Sequence, residues 1–177
     1  MDYFNNFSDD WFSNIKIKIK GTGLSIFLNK KILIYGLGKS GLSAFKFLKN
    51  KSEIFLYDDN EKQIRTLNTK KNLISYKNIL QIKFDQIILS PGIDINKCKL
   101  SKFLKKNYSK IFSDLDVFYS FYKNNCITIT GTNGKSTTCQ LLHEVLSSQK
   151  FDAKLVGNIG NPILSTKNIK KKNYFCY

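Results

Sequence analysis

Residues 130–137 read Thr-Gly-Thr-Asn-Gly-Lys-Ser-Thr and lie between the strand-like run Cys126 to Thr130 and a helical stretch reaching about Ser148. This segment constrains the chain more than any other. A glycine-bearing turn from strand to helix lets backbone N–H groups converge on phosphate oxygens, and the helix behind it adds its positive N-terminus. In such a loop Lys135 reaches the outer phosphates of a nucleotide and the Ser136 hydroxyl is placed to ligate Mg²⁺. The general form G-x-x-x-x-G-K-[ST] is not met in full, because Ile129 occupies the place of its first glycine. An ordinary strand–helix turn is the plain alternative.

A second glycine turn stands upstream. The run Lys31 to Tyr35 (KILIY) ends in Gly36-Leu37-Gly38-Lys39-Ser40-Gly41, after which Leu42, Phe45 and Leu48 keep helical spacing. Glu53 to Tyr57 reads as the next strand and ends at Asp58. Glycines at this spacing, with an acid after the following strand, form the fingerprint of a dinucleotide or other ribose-diphosphate site. Lys39 adds a cation inside the turn. Two more turns close strand-like runs, Ser90-Pro91-Gly92 after Gln86 to Leu89 and Gly157-Asn158-Ile159-Gly160 after Leu155-Val156. Each could line a ligand site or serve only as a turn.

Strands alternating with helices, with glycine turns at the strand ends, predict an α/β chain with parallel sheets. Helices are expected near Phe103 to Tyr108 and Leu115 to Tyr122, and a further strand near Tyr174 to Tyr177. The polar break Lys123 to Asn125 is the expected boundary between two units. Asn14 to Lys20 alternates apolar and basic residues as an edge strand would, and residues 1–28 are assigned no role.

Composition narrows the classes. The formal charge is +16, and 28 of the 29 cations are lysine, with Arg65 the exception. Together with 18 Asn and 21 Ile this resembles an AT-rich coding bias, so the charge does not by itself name a nucleic-acid partner. No apolar run approaches the roughly 18–20 residues of a membrane span. Cys98, Cys126, Cys139 and Cys176 show no C-x-x-C pair, as expected of reduced thiols in a cytoplasmic protein. His143 is the single histidine and is expected to pack in its helix, as is Cys139.

The motifs taken together resemble the Mur ligases, ATP-dependent amide-forming enzymes of peptidoglycan precursor synthesis. ITGTNGKST (Ile129 to Thr137) is similar to that family's shortened ATP loop. GLGKSG, LSPGI and GNIG in this order resemble the branch that adds D-glutamate. The resemblance covers about residues 30–177. It implies a Rossmann-like unit over residues 29–122 that binds UDP-N-acetylmuramoyl-L-alanine, and the start of a P-loop ATP-binding α/β unit over residues 123–177. Gly38, Lys39, Ser40, Asp58, Ser90 and Gly92 would hold the uridine-diphosphate substrate, with Asn158 near its reacting end. Gly131, Thr132, Asn133, Gly134, Lys135, Ser136 and Thr137 would bind ATP, with Lys135 as the catalytic cation and Ser136 on Mg²⁺. The substrate carboxylate would attack ATP to give an acyl phosphate, which the amine of D-glutamate then converts to an amide.

In the family, the strand matching Asn173 to Tyr177 leads into a segment that carries a further metal-binding glutamate. The sequence is therefore expected to be the N-terminal portion of such a ligase, monomeric and inactive alone. Two readings compete with this one. A nicotinamide-dependent oxidoreductase would use the Gly36 loop and leave Thr130–Thr137 without a task. A non-catalytic basic protein would bind nucleic acid through its lysines.

Overall fold

A computed structural model describes residues 25–65, 70–157, 160–170 and 173–176. The alternating run expected at Asn14 to Lys20 lies outside the described residues.

Four short, apolar strands build the first sheet: β1 (Lys31–Tyr35), β2 (Glu53–Tyr57), β3 (Gln86–Leu89) and β4 (Ile111–Phe112). They are all parallel, in the order β2-β1-β3-β4. A strand covered on both faces reads as continuous hydrophobic sequence rather than as alternation, and β1 is buried from Ile32 to Tyr35. One face carries Ile32, Ile34 and Leu56 against α1 (Lys39–Leu48) and α5 (Asp114–Phe121), through Ala44, Phe45, Leu48, Val117 and Phe118. The other carries Leu33, Tyr35 and Ile87 against Phe84, Leu100 and Leu104, the last from α4 (Ser101–Lys106). Two short helices, α2 (Glu61–Arg65) and α3 (Tyr76–Ile79), complete the first unit.

Register decides where the loops emerge. Tyr35 pairs with Tyr57 on one side and with Leu89 on the other, so three strands end flush. The turns after β1, β2 and β3 therefore leave from one edge. The chain runs outward from β1 to β2 and then crosses back to β3, and ligands in open α/β sheets collect at such a reversal, beyond the carboxyl ends of the strands.

The second sheet has three parallel strands in the order β5-β7-β6: β5 (Asn125–Ile127), β6 (Ala153–Leu155) and β7 (Tyr174–Cys176). The 14-residue helix α6 (Lys135–Ser148) follows the β5 loop. Strand β5 stops at Ile127 rather than continuing to Thr130, because residues 128–130 leave the sheet to enter the phosphate-type loop. Phe118 of α5 meets Phe175 of β7 ring to ring at 4.8 Å and 61°. Ile163 and Leu164, in a 3-10 turn at Ile163–Ser165, join the same apolar cluster as α1 and α5. One core thus runs through both sheets.

Candidate functional site

Helix α1 begins directly after Gly38 and α6 directly after Gly134. Neither start is capped by a side chain, and neither first turn contains an acid. Helix α5, in contrast, has a full capping box, with Ser113 and Asp116 exchanging hydrogen bonds. An uncapped N-terminus leaves its N–H groups and the positive end of the helix dipole to an incoming anion.

The two uncapped ends share one cleft. A cavity of ≈ 390 Å³ is lined by Lys39 and Ser40 from the first loop and by Lys135 and Ser136 from the second. Pro91, from the turn after β3, and Gly157, from the turn after β6, complete its rim. Cys139 and Val156 form apolar floor. All four glycine motifs picked out in the sequence therefore meet in one place. His143 stands apart, half-buried beside Leu155 and Ser165.

The first loop is braced from three directions. Asp58, 8% exposed, accepts the Leu37 N–H on Oδ2 at 2.6 Å and the Asn60 N–H on Oδ1 at 2.8 Å. The Ser90 hydroxyl donates to the Gly36 carbonyl at 2.7 Å. Gly41 lies so close to the turn that a Cβ there would sit 1.8 Å from the Gly36 carbonyl oxygen. Asp58 and Ser90, expected as ligand contacts, thus shape the loop from behind, while Lys39 and Ser40 face the cleft. Gly38 and Gly92 border open space.

The second loop is more exposed. Residues 131–138 are all exposed, Asn133 and Thr137 among them. Gly134 adopts φ +74°, a left-handed conformation that side-chain-bearing residues rarely take. The Lys135 ammonium turns back onto its own loop, donating to the Gly131 carbonyl and to the Thr132 carbonyl at 3.2 Å. Its charge therefore rests among the carbonyl oxygens of its own loop. Asn158 lies outside the described residues.

Nearby titrating groups are set by burial. Tyr57, at the end of β2, is pushed up to about 12 by desolvation and by the negative charge of Asp59. Tyr35 is also raised, first by burial and then by its 2.6 Å bond to Asp59. The sequence reading did not single out Asp114. The residue is 2% exposed, and burial pushes its carboxyl up.

Magnesium finds little here. Among the described residues no group of three or more His, Cys, Asp or Glu stands together, and the cleft lining supplies the Ser136 hydroxyl but no carboxylate. Mg²⁺ usually takes one or two carboxylates alongside phosphate oxygens. The described residues alone do not fit the ion.

Comparison with known proteins bears on this geometry directly. The family described as Mur ligase MurD-like, N-terminal domain, matches residues 30–111, and the Mur ligase middle domain matches residues 129–175. The chain belongs to the Mur ligase family. A Rickettsia bellii protein named UDP-N-acetylmuramoylalanine--D-glutamate ligase is 36% identical to this Mur ligase chain over 151 residues, covering 83% of it and 33% of the relative. A protein of the same name from Rickettsia prowazekii is 38% identical over 148 residues, covering 81% and 33%. Another, from Lachnoclostridium phytofermentans, is 36% identical over 146 residues, covering 77% and 32%. This Mur ligase chain spans about a third of the length of the curated relatives it matches. Among the described residues, no helix is long and apolar enough to cross a membrane.

Proposed function

We propose that this chain is the substrate- and nucleotide-binding front of an ATP-dependent ligase that joins D-glutamate to UDP-N-acetylmuramoyl-L-alanine in the cytoplasm. One observation carries the reading: two uncapped helix N-termini, each with a lysine, open onto the same cleft. Such a site suits two polyphosphates held close together, as a reaction between a uridine-diphosphate substrate and ATP requires. In this reading residues 29–122 form a Rossmann-like substrate unit. Residues 123–177 begin a P-loop unit.

The residues divide the work by position. Lys39, Ser40 and the start of α1 take the substrate diphosphate, while Asp58 and Ser90 hold the loop in shape behind them. Gly92 lets the backbone after β3 approach the same ligand. The backbone of Gly131 to Gly134 and the first turn of α6, through Thr137, surround the nucleotide phosphates. Lys135 leaves the Gly131 and Thr132 carbonyls to neutralise charge on the γ-phosphate, the largest service a lysine offers in phosphoryl transfer. Ser136, in the first turn of α6, lines the cleft beside Lys135 and faces the same phosphates. Asn158, next in sequence after Gly157, would meet the substrate near its carboxylate.

The chemistry needs a carboxylate oxygen to attack the γ-phosphorus as the bond to the leaving ADP breaks. The D-glutamate amine then displaces phosphate from the acyl carbon. Positioning supplies most of the first step. Titration calorimetry of this chain tests the reading. Heat with UDP-N-acetylmuramoyl-L-alanine and with ATP, and none with NADH, is expected. Binding of NADH without binding of the uridine-diphosphate sugar would return the Gly36 loop to a nicotinamide enzyme.

A further inference from the structure

The cleft occupies only the carboxyl end of the first sheet. At the amino end three chain connections come together: the approach to β1, the turn from α1 into β2, and the approach to β3. They border a concavity of ≈ 740 Å³. The length of β1, five residues, keeps it about 16 Å from the cleft.

Its walls are fixed by the backbone. Asn29 donates its N–H to the Lys51 carbonyl at 2.9 Å, Glu53 to the Lys30 carbonyl at 3.0 Å, and Asp85 to the Lys31 carbonyl at 2.9 Å. Asn29 holds a left-handed φ of 54°, which asparagine tolerates better than most residues. The concavity is therefore part of the fold.

Its charge is one-sided. Five of its ten lining residues are lysine and two are acids. Lysine makes up 28 of 177 residues, so composition alone would place one or two in such a lining. Both acids are already engaged by the same residue. Glu53 faces the Lys31 ammonium at 3.9 Å, and Asp85 Oδ2 accepts the Lys31 N–H at 2.9 Å. Lys51 is also committed: its ammonium donates to the Phe47 carbonyl at 2.7 Å and stands 4.4 Å from the centroid of the Phe47 ring. Lys30, Lys49 and Lys83 are exposed and form no ion pair among the described residues. Three like charges around one hollow repel, and the walls focus their field on the space between them. The lining holds no aromatic or apolar residue, so a nucleobase or a lipid tail finds nothing to pack on.

We propose that this concavity is a binding site for a small polyphosphate anion, held by Lys30, Lys49 and Lys83 and separate from the cleft. A short run of phosphates carries dense negative charge and no apolar part. It meets three ammonium groups at once, each with three protons to donate. Asn50 adds a neutral amide to the same lining. The proposal does not depend on the reading of the cleft.

Inorganic tripolyphosphate is the probe, titrated into the full chain while backbone amide signals are followed by NMR. Signals of Lys30, Asn50 and Lys83 report the concavity, and those of Gly38 and Gly134 report the cleft. The first set should shift and saturate at a concentration about tenfold lower than with inorganic phosphate, since several contacts form together. The triple variant Lys30→Gln/Lys49→Gln/Lys83→Gln changes only exposed side chains. It should weaken the response of the first set at least about tenfold and leave the second unchanged. First-set signals that stay still in the wild-type chain overturn the proposal. So does an undiminished response in the triple variant, or the same shifts with sodium chloride at matched ionic strength. Saturation by a short single-stranded DNA below the tripolyphosphate concentration also overturns it, by making this a nucleic-acid face.

Discussion

Gly41 in the first glycine loop and Gly134 in the second are needed for different reasons. Gly41 answers crowding: the helix start is pressed against the turn, and the space a methyl group would need is already occupied by the Gly36 carbonyl. In the second, glycine answers backbone shape. A Cβ on Gly134 would meet nothing within 4 Å, but its φ of +74° lies where side chains are strained. The first loop is consequently built before any ligand arrives. The second is held by a lysine bonded to its own carbonyls.

The contrast can be broken by mutation. Gly41→Ala should have the largest effect, lowering stability by more than about 3 kcal/mol, because a backbone atom must move to admit the methyl. Urea denaturation reads this as a large fall in the midpoint or as failure to fold. Lys135→Ala should leave stability nearly unchanged yet weaken ATP by about 10- to 100-fold, the loss of a hydrogen bond to a charged group. A calorimetric affinity equal to wild type would mean the lysine never leaves its loop carbonyls. Ser90→Ala should cost roughly 1–2 kcal/mol of stability by stranding the Gly36 carbonyl, and should weaken the uridine-diphosphate sugar but not ATP. Gly134→Ala should cost about 1–2 kcal/mol through strain alone. Equal losses for Gly41→Ala and Gly134→Ala would erase the distinction between the loops.

Asp114 sharpens the same comparison through pH. Its carboxyl is raised on folding, so the folded chain binds the proton more tightly than the unfolded one. The stability it contributes is present at low pH and is lost as pH rises through its folded value. Asp114→Asn should therefore melt above wild type at neutral pH, and the gap should close on acidification. A gap independent of pH would mean that the buried acid does not titrate differently on folding.

Strands with a full apolar run were legible in the sequence: KILIY, EIFLY and QIIL form β1, β2 and β3 as written. Elements shorter than their own period were not. Strand β4 is two residues, Ile111 and Phe112, and is defined only by pairing with Ile87 and Ile88. Helix α3 is a single turn capped by Ser75. The glycine motifs announced the cleft because loop chemistry is local. Asp114 did not announce itself, because in Ser-Asp-Leu-Asp the capping pair accounts for the neighbouring residues. Only the packing of α5 against α1 turns the remaining acid inward. Asp58 drew notice by its spacing, and its bonds to Leu37 and Asn60 show a structural task that spacing could not reveal.

The shared core has a mechanical consequence. Phe118 meets Phe175, and Ile163 and Leu164 lie with α1 and α5 in one apolar cluster, so the walls of the cleft are bolted together behind it like the jaws of a fixed spanner. The gauge between Lys39 and Lys135 is then cut by aromatic and aliphatic packing. On the proposed reading, a ligand pair of the wrong span would have to pry that core apart.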